Sequence, residues 1–126
     1  VSRQPTEGSF RRPDPGAREA FEALLPEDPR IVVRPMFGNV AAFVNGNMFT
    51  GLFGQDLFVR LPEEDRPGLQ EAGGAEFQPM PGRPMKGYVS VPRPWRNDLD
   101  GVRTWIGRSL AWAATLPPKQ PRQRRS

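Results

Sequence analysis

The 126 residues contain no cysteine and no histidine. Without cysteine there can be no disulfide and no thiol nucleophile, and the chain carries no mark of a redox compartment. Without histidine it lacks the commonest general base near neutral pH and the commonest zinc ligand. No apolar run approaches the length of a membrane span. The N-terminal residues are polar and show no apolar stretch of the kind a signal peptide needs, so a cytoplasmic location is the expectation. Phosphate-binding glycine loops, dinucleotide fingerprints and metal-ligand spacings are also absent. No cofactor and no metal are expected.

What the chain does have is proline and glycine, 16 and 13 residues respectively. Part of that excess sits at the two ends, read here as a disordered segment 1–13 and a basic, proline-rich tail 117–126. The formal net charge is +4. It comes from those ends: residues 13–116 hold more acids than bases. A basic tail can touch nucleic acid weakly and without specificity. The single domain expected over 14–116 is long enough for a modest core.

Asp14-Pro15 reads as a helix start, and Ala17, Ala20, Phe21, Leu24 and Leu25 form one stripe that Pro26 ends. Asn45-Gly46 predicts a type I′ hairpin between strands near 37–44 and 47–53. Gly54-Gln55 predicts a second tight turn leading into 56–61. Pro62 with Glu63, Glu64 and Asp65 opens a short helix that Gly73-Gly74 ends. Two more strands are expected near 75–80 and 85–91, joined at Pro81–Pro84. Asn97 or Asp98 then caps a last helix with Leu99, Val102, Ile106, Leu110 and Ala113 on one face. The fold class is α+β, a two-layer α/β sandwich with an antiparallel sheet and the element order α-β-β-β-α-β-β-α.

Particular strings resemble the N-terminal domain of the TfoX/Sxy family: RPMFG at 34–38, VNGNMF at 44–49, DLFVR at 56–60, EAGGAEF at 71–77 and MKGYVSVP at 85–92 with Trp95. The resemblance covers roughly 17–116. It implies the two-layer domain and a link to transcriptional control of natural competence. The namesakes carry a second, helical domain with a DNA-binding look, and none is expected within residues 117–126.

If residue 44 faces 47 and 53 faces 56, strict alternation sorts the sheet into two faces. Phe37, Ala41, Phe43, Met48, Leu52, Leu57, Val59 and Leu61 should lie beneath the helices. Val40, Ala42, Val44, Phe49, Phe53, Phe58 and Arg60 should lie on the outer face, joined by Tyr88. Three phenylalanines on a face left to water imply a cover, most simply a second copy of the chain or another protein. The candidate partner-binding residues are therefore Phe49, Phe53, Phe58, Arg60 and Tyr88. Arg34 and Lys86 are candidate anion-binding residues, with a salt bridge from Arg34 to an acid such as Glu22 as the plain alternative. No catalytic residue is assigned and no small-molecule ligand is implied. The leading expectation is a non-enzymatic interaction domain in transcriptional or competence regulation. The alternative is a single-stranded nucleic-acid binder that stacks bases on the same aromatics and uses the basic tail.

Overall fold

The structure is a computed structural model and describes residues 15–36, 39–80, 82–92 and 94–119. The segment 1–13, Phe37, Gly38, Pro81 and the tail beyond Lys119 lie outside these. Helix α1 spans Pro15–Leu24, and six strands follow: β1 Ile31–Met36, β2 Asn39–Val44, β3 Asn47–Phe53, β4 Asp56–Arg60, β5 Ala75–Glu76 and β6 Tyr88–Ser90. Helix α2 (Arg66–Glu71) continues a short 3-10 turn after β4, and α3 spans Leu99–Ala113. The order is α-β-β-β-β-α-β-β-α, one strand more than expected. The extra strand, β1, came from the β-branched run Ile31–Val33, which the sequence reading did not assign to an element.

All neighbours in the sheet are antiparallel, in the order β1-β2-β3-β4-β6-β5. The Asn45-Gly46 turn forms as predicted, with φ of 51° and 82°. Gly46 is also needed for space, because the main chain at Lys119 lies where a Cβ would be. Lys119 donates its N–H to the Asn45 carbonyl at 2.8 Å, and Asn47 Nδ2 donates to the Pro117 carbonyl at 3.1 Å. The first residues of the expected tail are thus tied to the hairpin.

Both predicted turn registers hold: Val44 faces Asn47 and Phe53 faces Asp56. Between them the register shifts. Ala42 faces Thr50 while Phe43 faces Met48, so Phe49 has no partner on β2. This is a β-bulge, one extra residue that breaks the alternation. It corrects half of the face assignment. Val40, Ala42, Val44 and Phe49 lie in the core beneath the helices, with Leu52, Leu57, Val59 and Leu61 as expected. Met48 goes instead to the outer cluster.

The core is completed by Ala17, Phe21 and Leu24 of α1, Leu69 of α2, Trp95, and Val102, Ile106, Leu110 and Ala113 of α3. Each fully buried large apolar side chain contributes about 1.5–3 kcal/mol. Leu99, expected on that stripe, is exposed at the first position of the helix. Asp98 caps α3, accepting from the Gly101 N–H at 3.2 Å. The sheet's edges are β1 and the two-residue β5, and β1 is the longer. It is a poor template for another strand: Ile31 spends its N–H on the Asp28 carbonyl at 3.0 Å, and Pro35 has none.

Candidate interaction face

The side of the sheet away from the helices has its own apolar cluster. Phe58 is at its centre, 0% exposed, with Phe53 at 9% and Phe77 beside them. Gly51 is opposite Phe58 on β3, and the Phe58 ring lies over the space where a side chain at Gly51 would stand. Phe77 stacks on Phe58 at 4.3 Å and 19°, and meets Phe53 edge-on at 5.8 Å. Aromatic pairs of this kind contribute about 0.5–1.5 kcal/mol beyond their buried area. The backbone holds Phe77 there, since its N–H donates to the Tyr88 carbonyl at 3.1 Å and its carbonyl accepts from Met85 at 2.9 Å.

The expected open phenylalanine surface is therefore corrected twice. Phe49 is in the core on the opposite face, turned there by the bulge. Phe53 and Phe58 are on the outer face but are covered by this chain's own Phe77. Phe77 and Gly51 were the residues that sequence reading missed. A glycine inside a strand, next to a strand carrying a large aromatic, was the available signal.

What remains open surrounds that cluster. Met36, Met48 and Met85 pack against it half-buried, and Met80 is 47% exposed, which places all four methionines of the chain in β1, β3 and the Phe77–Gly87 segment. Phe43 is half-buried and Val32, its β1 partner, is 46% exposed. The Arg34 guanidinium lies 5.4 Å from the Phe43 ring centroid, a cation–π contact. Glu22, the acid considered for Arg34, pairs with Arg18 instead at 3.3 Å. There is no acid in the sequence between Asp28 and Asp56, nor between Phe77 and Asn97.

The second candidate anion residue, Lys86, is not brought to Arg34. A positive φ of 92° at Gly87 separates it from β6. It lines a hollow of about 380 Å³ with Glu63, Arg66 and Glu76, and those carboxylates disfavour an anion there.

Arg60 and Tyr88 face each other across β4 and β6. The Tyr88 hydroxyl donates to the Met48 carbonyl at 3.1 Å. Arg60 lies 5.6 Å from the Tyr88 ring centroid and 5.5 Å from that of Trp112 on α3. Burial pushes the Tyr88 phenol upward from its ordinary value, and the adjacent Arg60 pulls weakly the other way. Tyr88 is the chain's one tyrosine, so ultraviolet absorbance of phenolate reports it alone. Its titration should fall above the ordinary value of about 10 in the native protein and return to that value in denaturant. The native phenol holds its proton more tightly than the unfolded one. Its contribution to stability is thus complete below about pH 10 and lost as pH rises through the native value. A native titration at or below the denatured one would show that Tyr88 is not buried as described.

Among the described residues no group of three His, Cys, Asp or Glu side chains could hold a metal ion. Nor is any of their helices long and apolar enough to cross a membrane.

Three helices on one face of a six-stranded antiparallel sheet define a small α+β domain. Residues 19–113 match the family model of the TfoX N-terminal domain, and the chain belongs to that family. No curated protein matches it.

Proposed function

We propose that this chain is a non-enzymatic protein-interaction domain acting in transcriptional regulation, with competence control as the family's association. The observation that carries the reading is the half-open ring of Met36, Met48, Met85, Phe43 and Val32 with Arg34 laid over Phe43. Methionines adapt to varied apolar partners because they are unbranched and polarizable. A second copy seated on the same patch would bring two Arg34 side chains together with no acid of the patch between them. The chemistry therefore favours a different partner, a segment with apolar side chains and a carboxylate for Arg34. The nucleic-acid alternative has lost its stacking platform, since Phe53 and Phe58 are not open to bases.

A peptide alternating leucine and glutamate serves as the probe. Added to the full chain, it should shift the amide resonances of Val32, Arg34, Phe43 and Met48, and Arg34→Glu should weaken it at least tenfold. Equal binding to the variant, or shifts elsewhere, would defeat the proposal. A wild-type dimer by light scattering that Phe43→Asp converts to folded monomer would assign the face to a second copy instead.

A further inference from the structure

We propose that the Arg60 guanidinium is an oxyanion-binding site, taking a carboxylate or a phosphate group. The site lies beside the bulge. Thr50 facing Val59 is the last pair between β3 and β4, and beyond it the two strands part. The carbonyls of Phe49 and Arg60, freed there, both lie against the Ser109 hydroxyl of α3, at 2.7 and 2.6 Å. That hydroxyl has one proton to share between them, yet it anchors both strands to the helix. The Arg60 backbone is thereby held in place.

The side chain leaves this anchored point flanked by two rings, Tyr88 from the sheet and Trp112 from α3. Tyr88 is itself fixed by its bond to the Met48 carbonyl. A guanidinium carries five N–H donors in one plane, and aromatic faces can satisfy its charge but not those donors. No carboxylate is paired with Arg60 among the described residues, whereas Arg18 pairs with Glu22, Arg30 with Asp28 and Arg103 with Asp100. The contrast with Arg66 is instructive, because its Nε donates to the Leu61 carbonyl at 3.0 Å. Arg60 is half-buried and held between rings; it shares a hydrogen bond with the Tyr88 side chain, which leaves most of its five donors without an ionic acceptor. Such a group is pre-organised for an oxyanion, which can accept two of its N–H bonds side by side. The flanking rings also keep water off, so the attraction is less screened than at the exposed Arg34.

The test uses the full chain with nitrogen-15 label. Sodium acetate and inorganic phosphate are titrated separately at constant ionic strength, and the arginine Nε–H and tryptophan indole signals are followed. The expected result is a shift of Arg60 and Trp112 that saturates at millimolar anion, while Arg34 and Arg83 move only in proportion to concentration. Stronger binding of acetate assigns the site to carboxylates, and stronger binding of phosphate to phosphorylated ligands. Arg60→Lys should abolish the saturable shift at Trp112. The proposal is overturned if Arg60 does not saturate with either anion, or if the Trp112 response persists in Arg60→Lys. If Arg60→Lys does not fold, saturation of the wild-type Arg60 signal decides alone. The outcome is independent of the Arg34 patch, so failure here leaves the proposed function standing.

Discussion

Phe49→Asp is expected to leave no folded protein, whereas Phe43→Asp should fold. Strict alternation would put Phe43 in the core and Phe49 outside; the bulge in β3 is what exchanges them. Phe49 is wholly buried beneath the helices. Replacing it forfeits about 1.5–3 kcal/mol of burial. It also places in the core a carboxylate without a partner, at a further cost of several kcal/mol. Against a total stability of about 5–15 kcal/mol that sum is decisive. Phe43 is half-buried beside Arg34, so an aspartate there keeps access to water and to a cation. Circular dichroism melts of the two variants are the measurement. A cooperative melt for Phe49→Asp together with an unfolded Phe43→Asp would mean that the strand alternates without interruption and that the bulge is misplaced.

Gly51→Ala should be strongly destabilising for a residue change of one methyl group, and the penalty should depend on Phe58. An added Cβ would come within 2.8 Å of Phe58 Cε2 and closer still to Cζ, with the Val40 carbonyl at 3.1 Å on the other side. The ring cannot withdraw, because Phe77 is stacked on it at 4.3 Å. Overpacking of this kind costs about 1–3 kcal/mol. For a domain of this size each kcal/mol lowers the melting midpoint by about 4–8 °C. In a Phe58→Leu background, itself less stable, the added methyl should be nearly neutral. The coupling energy of the double-mutant cycle should then be at least about 1 kcal/mol. Additive effects of the two changes would show that the ring does not rest on Gly51.

The same bulge separates what was legible in the sequence from what was not. Asn45-Gly46 and Gly54-Gln55 announce their turns, because few residues accept positive φ, and the turns set the pairing at each strand end. Between those ends the sequence NMFTGLF gives no sign that one residue is unpaired. Phe49 and Thr50 are both acceptable in either orientation, and a single extra residue reverses every side chain on the hairpin side of it. Lys86 shows the same limit at shorter range. It is two residues from Tyr88, the spacing that shares one face of a strand, but the positive φ at Gly87 breaks the strand between them.

By itself the sequence determined the exclusion of thiol and imidazole chemistry, the α+β class, the hairpin turns, a helix cap at Asn97 or Asp98 and the family resemblance. These depend on residue identity or on spacing along the chain. Only the tertiary structure decided which face Phe49 joins, what covers Phe58, and which rings flank Arg60. Phe77 is 19 residues from Phe58 in sequence, Ser109 is 60 from Phe49, and Trp112 meets Arg60 from a different layer. Contacts of that separation follow from how the sheet and helices stack, and no local propensity encodes them.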